Sequence, residues 1–550
     1  MAQQLYFSRD TRMFVQFRNT TDNTEAAGDL GKGALWEIPV LDGYSFSQTT
    51  NTSEITLAEM ESSAGVSRRG RRMFTDSLAP AEFSFSTYIR PFKSVGQNAI
   101  QTNDYDGVKG AELTTGTDVH AVEEVFWASM FGADTYTSQQ FTRGVNAVSG
   151  NVLIPGATSS VITIQESNRS ALHSFVIYFM IDTDTSNPLL YRLPEAIINE
   201  VTVDFDVDGI ATLNWSGFAK EVQDISEKVS LSDRHDATVS GGRKGGGNLV
   251  LGDLVIDTGN NRAVHICSNV SSTQATVTQA IDEATTSTKN FIRNRLTAVD
   301  IETADQADKV SGTFPGSFVT VTGITAVNNA VVTAAGHGFA VGDVVRVTGT
   351  CGISKSGADV LDGVDLTIAS VTTDTFTTSL NLSSGTSGSF SGTPVAANGK
   401  YNLTLTGGSF NIGNNITYLV PEELGAINKP LEHVTGTRTA TGNATCYITL
   451  DDADTSAGTS RQFFNDLVGT SAMSKVVNKF KVTMHIGGSA ATGNNTDPAL
   501  KVIFPTAHIE VPTHSIEDVI SLETNFTALP TDFGSADEIT SITYFPPATY

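Results

Sequence analysis

Ser8-Arg-Asp-Thr-Arg-Met-Phe-Val-Gln-Phe17 decides the reading of this chain, because a version of it returns as Ile292-Arg-Asn-Arg-Leu-Thr-Ala-Val-Asp-Ile301. Further along, Leu41-Asp-Gly-Tyr-Ser-Phe46 returns as Leu405-Thr-Gly-Gly-Ser-Phe410. Ala128-Ser-Met-Phe-Gly132 is matched by Asn465-Asp-Leu-Val-Gly469, each after an aromatic pair, Phe126-Trp127 and Phe463-Phe464. Val176-Ile-Tyr-Phe-Met-Ile-Asp182 is matched by Val482-Thr-Met-His-Ile-Gly487, and Leu193-Pro-Glu-Ala-Ile-Ile198 by Phe504-Pro-Thr-Ala-His-Ile509. Landmark order is kept while the spacing drifts, as expected when strands persist and loops change length. Two copies of one domain point to an assembly that needs many equivalent subunits around an axis.

Composition narrows the class. The chain has 550 residues, 39% hydrophobic, with 29 Phe, as in folded proteins of several domains. The longest apolar run, Phe175 to Ile181, is too short to span a bilayer, so no membrane association is expected. The first residues carry Arg9, Asp10 and Arg12 and no apolar h-region, so the expectation is no signal peptide and synthesis in the cytoplasm. Cys267, Cys351 and Cys446 are scattered and give neither a disulfide framework nor a zinc spacing. A net charge of −25 favours solubility and disfavours binding of nucleic acid by counterion release.

Strand signals dominate both copies. The first shows them at 12–17, 35–48, 53–61, 82–89, 174–182 and 197–216, with an amphipathic helix over 118–131 that Asp118 would cap. The second shows them at 295–302, 401–410, 416–420, 444–450, 479–486 and 516–526, with a helix over 460–467. The expected fold is mainly β: two repeated β-sandwich or barrel domains, each with a flanking α-helix, plus a small inserted β-barrel. The expected domains are copy 1 over 1–225 and an extended connector with a β-hairpin over 226–287. Copy 2 is discontinuous, over 288–312 and 399–550, and 313–398 forms the inserted module. That insert carries Gly336-His-Gly-Phe-Ala-Val-Gly-Asp343 and resembles the small β-barrel modules found in phage structural proteins. Insertions of this kind are tolerated at solvent-facing loops.

Four candidate constellations stand out. Asp204-Phe-Asp-Val-Asp-Gly209 begins like a calcium loop, but its twelfth position is Trp215, which cannot supply the bidentate carboxylate. Alternation places Asp204, Asp206 and Asp208 on one face of a strand, which reads as either an ordinary solvent-facing strand or an acidic channel lining. Arg68, Arg69, Arg71 and Arg72 form the dense basic cluster. Its second-copy counterpart, Asn428-Lys-Pro-Leu-Glu-His433, carries little positive charge, so inter-ring or inter-subunit contacts are favoured over phosphate binding, with a solvated loop as the alternative. His508 and His514 lie on one strand face but roughly 20 Å apart, too far for one metal ion. No nucleophile elbow, P-loop or dinucleotide fingerprint is present, so neither an enzyme nor a cofactor or metal is expected.

Arg12-Met-Phe-Val15, Thr52-Ser-Glu-Ile-Thr56, Ser67-Arg-Arg-Gly-Arg-Arg-Met-Phe-Thr-Asp-Ser-Leu78 and Ala81-Glu-Phe-Ser-Phe-Ser-Thr-Tyr-Ile89 together resemble the major tail tube proteins of T-five-like long-tailed bacteriophages. Trp215-Ser-Gly217 and Asn414-Asn-Ile-Thr-Tyr-Leu419 extend the likeness. The resemblance implies a duplicated tube domain in trimeric, pseudo-hexameric rings that stack into a hollow virion tube conducting DNA to the host. It implies tape-measure, tail terminator and tip proteins as partners, with transient, non-adhesive DNA contact. The long connector and the insert depart from that pattern. The alternative is a tail-surface or cell-surface adhesin whose insert binds carbohydrate; 331–398 offers it only Phe339, Phe376 and Phe390.

Overall fold

The computed structural model describes residues 5–8, 11–17, 35–56, 71–94, 118–137, 140–143, 150–164, 172–181, 188–226, 229–232, 238–239, 254–257, 264–270, 275–279, 281–282, 291–303, 319–341, 343–397, 400–421, 428–449, 460–468, 480–488, 498–516, 519–530 and 534–546. The chain is mainly β and divides into two compact units. The first is Met1–Thr202, Thr212–Thr288 and Ile412–Thr439; the second is Val203–Ala211, Lys289–Asn411 and Ala440–Tyr550.

In the first unit, Leu35–Ile38, Arg12–Gln16, Phe175–Ile181 and the strand beginning at Leu189 lie side by side, antiparallel. A second antiparallel set runs Ser45–Ser47, Ala81–Tyr88 and Thr212–Ala219. Ala81–Tyr88 and Thr212–Ala219 bury every other residue, as a sheet with one covered face requires. The helix Glu124–Met130 fills the space between the sets and is buried throughout. Its Phe126 ring lies 5.9 Å from Phe175 in one set and 5.0 and 5.3 Å from Phe85 and Trp215 in the other.

That helix starts later than the periodicity suggests. Asp118–Ala121 is a strand paired with Pro91–Ser94, so Asp118 caps nothing. Strand pairing outweighs a helical pattern whose intrinsic bias is a few tenths of a kcal/mol per residue. The second helix, Ser460–Val468, falls close to the expected span. Ser460 Oγ accepts from Thr449 N at 2.8 Å and donates to Tyr447 O at 2.8 Å, fixing the entry of the chain.

Phe175–Ile181 is almost wholly buried, although an antiparallel strand commonly leaves one face wet. The connector supplies the second cover. Beyond the expected hairpin, now Leu254–Asp257 with Val264–Val270, it forms a five-stranded sheet. Leu254, Ile256 and Val264 of that sheet pack on Val176, Tyr178 and Met180.

The second unit repeats the plan. Lys400–Asn402, Ala298–Thr303, Phe480–Gly487 and Ala499–Ile509 lie side by side, antiparallel, and Thr439–Tyr447 pairs with Ile520–Ala528. Ser541–Phe545 returns to pair with the start of Ala499–Ile509, as Gln223–Asp224 pairs near the start of Leu189–Asp206. Glu302 pairs directly with Lys400, and the insert leaves the chain between them. Among its described residues, a seven-stranded sheet runs from Val319–Thr320 to Gly323–Ile324, neighbours in sequence, so that sheet curls around one core of Val332, Val345, Leu366, Phe376 and their companions.

Candidate functional site

The acidic row ends earlier than alternation implies. The strand stops at Asp206; Val203 and Phe205 are buried, Asp204 and Asp206 are exposed, and Asp208 stands in the turn. In the second unit, Asp206 Oδ1 accepts from Asn294 Nδ2 at 3.3 Å, and Asp208 lies 3.7 Å from the Arg295 guanidinium. Exposed at both ends, the Asp208–Arg295 pair contributes little to stability. Gly209 closes the turn: a β-carbon there would come within 2.9 Å of Asp206 Oδ1.

Arg71 and Arg72 open the strand Arg71–Leu78, which pairs with Thr50–Thr56 in an exposed ribbon. Arg71 Nη1 donates to Glu54 Oε1 at 3.2 Å. Met73 and Phe74 are also exposed on it. Arg68 and Arg69 lie outside the described residues. A two-stranded ribbon alone is marginal in water; here Ser77 bridges Asn428, and Leu78 N donates to Asn428 O at 2.9 Å. His508 and His514 are not brought together: His508 pairs with Thr527 on the strand Ala499–Ile509, and the His514 ring packs 4.4 Å from Phe464.

The strand expected at 416–420 is present as Thr417–Leu419; it pairs with Glu432–Val434, a partner strand that sequence reasoning missed, and the ribbon belongs to the first unit. Ile416 and Tyr418 pack there with Leu172 and Ile197. Asn414 N donates to Asn199 O at 2.8 Å and Ile416 N to Asn199 Oδ1 at 2.7 Å. Tyr418 donates its hydroxyl proton to Glu195 O. Beside Tyr418, burial pushes the His433 imidazole down to about 4, with its bond to the Leu172 backbone opposing and the neighbouring His173 charge adding. The neutral ring's contribution is therefore full above the ordinary 6.5 and is lost as pH falls from there towards about 4. Replacing His433 with Gln should flatten the fall in unfolding free energy between pH 7 and pH 4, measured by urea titration, by up to about 3 kcal/mol.

In the insert, the features that suggested chemistry serve turns. His337 Nδ1 accepts from Phe339 N at 2.9 Å, leaving Nε2–H to donate to Thr375 O at 3.2 Å. Gly336 and Gly338 have φ of 62° and 64°, a region that favours glycine. Asp359 accepts from the N–H groups of Cys351, Gly352, Leu361 and Asp362; burial raises its pKa, but these donors outweigh it and hold the carboxyl below its usual range. Asp362 accepts from Gly349 N, and Asp365 is paired with Arg346 at 2.9 Å. Phe339 and Phe376 are core residues and Phe390 packs against them, so none forms an open platform for a sugar ring.

Among the described residues no group of His, Cys, Asp and Glu could hold a metal, and no helix is long and apolar enough to cross a membrane. The described residues present one β plan used twice, with exposed ribbons on it. The tail tube protein pb6 of Escherichia phage T5 is 21% identical over 541 residues, 97% of this chain and 75% of pb6. The likeness carried by motifs between Arg12 and Leu419 thus lies within a match over nearly the whole chain. No protein-family model matches it.

Proposed function

We propose that this chain is a structural subunit of a bacteriophage tail tube. Three chains close a pseudo-hexameric ring, and rings stack into a hollow tube in the virion. The observation that carries this reading is one strand plan used twice in a chain similar along its length to a tail tube protein. The tube domains are 1–225 and 288–312 with 399–550; 226–287 connects them, and 313–398 decorates the outside.

Joining sheet edges around a closed ring satisfies backbone groups that would otherwise template aggregation. A bore rich in carboxylate repels DNA phosphate, so DNA passes without adhering, which gives the charge of −25 a use. Asp204, Asp206 and Asp208 are the candidate lining, and Arg68, Arg69, Arg71 and Arg72 the candidate contacts between subunits or rings. Tape-measure, terminator and tip proteins are the expected partners within the tail.

Reversing Asp204, Asp206 and Asp208 to Lys should leave tubes intact but slow DNA ejection by roughly tenfold, measured by dye release from purified virions. Unchanged kinetics would remove these residues from the lining. The purified chain should itself give hollow tubes or rings in negative stain, whereas discrete particles would speak for the adhesin reading.

A further inference from the structure

Each unit sets one glycine against one phenylalanine at the same place in its sheet, but on opposite strands. In the first unit Phe83, on Ala81–Tyr88, faces Gly217, on Thr212–Ala219. In the second unit Gly442, on Thr439–Tyr447, faces Phe526, on Ile520–Ala528. A cross-strand contact one residue along fixes the correspondence. Ser45 and Ser84 share a hydrogen bond at 2.9 Å, and Asn443 Nδ2 donates to Ser409 Oγ at 3.0 Å. Ser45 falls on Ser409 in the repeat of Leu41–Phe46 as Leu405–Phe410, so Ser84 falls on Asn443 and Phe83 on Gly442. Strand pairing then carries Gly217 onto Phe526. By the same steps buried Ala81 and Ala219 fall on buried Ala440 and Ala528.

Each ring fills the room that its glycine leaves. A β-carbon on Gly217 would be 2.6 Å from Phe83 Cζ, and one on Gly442 would be 2.5 Å from Phe526 Cζ. Both rings are buried. The inequality continues one step along the same face, where Phe85 faces Trp215 in the first unit and Ala444 faces Thr524 in the second. The first unit thus uses large residues on Ala81–Tyr88 where the second uses small ones on Thr439–Tyr447. Duplicated domains carry a hazard, because a strand of one copy can pair with the partner strand of the other, in its own chain or a neighbour. Here exchange is opposed twice. Ala81–Tyr88 against Ile520–Ala528 would set Phe83 against Phe526, two rings in the room of one. Thr439–Tyr447 against Thr212–Ala219 would set Gly442 against Gly217 and leave a void. An overpacked or empty core position of that size disfavours a pairing by roughly 10- to 100-fold.

We propose that the reversed pairs Phe83–Gly217 and Gly442–Phe526 are a sorting device: they make the strands of each copy choose their own partners and block exchange of strands between copies. The device rests on the repeat and the two pairings, not on the tube reading. Specificity of this kind comes from building a clash into the wrong pairing as well as a fit into the right one. The glycines cannot be altered to test it. A β-carbon at either would also meet backbone oxygen, Ile197 O at 2.1 Å or Ser409 O at 2.8 Å, so the test works on the rings.

Cysteines report the pairing. Ser84 faces Ser216, and Asn443 faces Asn525; exchange would set Ser84 against Asn525. Facing residues of antiparallel strands lie close enough for a disulfide. The full chain with Ser84→Cys and Asn525→Cys is refolded from urea and oxidised, and the linked peptides are identified by mass spectrometry. With both rings present the 84–525 link should be scarce. Adding Phe83→Ala should raise it roughly tenfold, because Phe526 then meets a small partner. Phe526→Ala, which relieves the same clash from the other strand, should raise it as much. Phe85→Ala removes a buried ring from the same strand without relieving that clash, and should leave the link scarce. A second chain, with Ser84→Cys and Ser216→Cys, should link in every background and so show that the first unit forms. Abundant 84–525 linkage with both rings present overturns the device. So does a rise with neither Phe83→Ala nor Phe526→Ala, or an equal rise with Phe85→Ala.

Discussion

Replacing Gly217 with Val should abolish folding of the first unit. A β-carbon at this position would meet Ile197 O at 2.1 Å and Phe83 Cζ at 2.6 Å. Neither neighbour can yield. The Ile197 oxygen is backbone, and Phe83 is buried and stacked 6.0 Å from Phe85. The strand cannot slide away either, because Thr212–Ala219 is paired residue by residue with Ala81–Tyr88. A clash with fixed backbone exceeds the 1–3 kcal/mol typical of overpacking and approaches the roughly 5–15 kcal/mol that holds a domain folded. The variant should be insoluble or lack a cooperative melt by circular dichroism. Gly534, with open space around its would-be β-carbon, is the control, and Gly534→Ala should melt like wild type.

Phe205→Ala should have the next largest effect, about 3–4 kcal/mol off the second unit by chemical denaturation. The Phe205 ring is buried over Gly408, and its loss opens a cavity that backbone hydrogen bonds around Gly209 and Ala211 prevent from collapsing. A cost below about 1 kcal/mol would mean that the tip is held by those bonds alone.

The repeat was legible because core strands keep their apolar patterns while loops drift. Arg12–Gln16 against Phe175–Ile181, and Ala298–Thr303 against Phe480–Gly487, are the same pairing read twice. The start of the first helix was not legible, since Val119 and His120 suit either periodicity and the partner strand Pro91–Ser94 decides between them. The covering role of the connector had a signal, the unbroken apolar run at Phe175–Ile181, which requires two covered faces.

At the candidate site, the types and positions of Asp204, Asp206, Arg71 and Arg72 were legible, as was their exposure. The departure of Asp208 from the row was not, because it depends on where the turn begins. Nor was the unit to which each tip belongs. That is set by long-range complementarity, such as a bare glycine under an aromatic ring, and not by any local pattern.

The most direct measurement is an end-on view of the assembled chain by electron cryomicroscopy with subunits counted. The account predicts an open ring of six similar lobes, three chains of two lobes each, around an acidic hole. A solitary particle, or a closed assembly in which the two copies occupy unrelated environments, would contradict it.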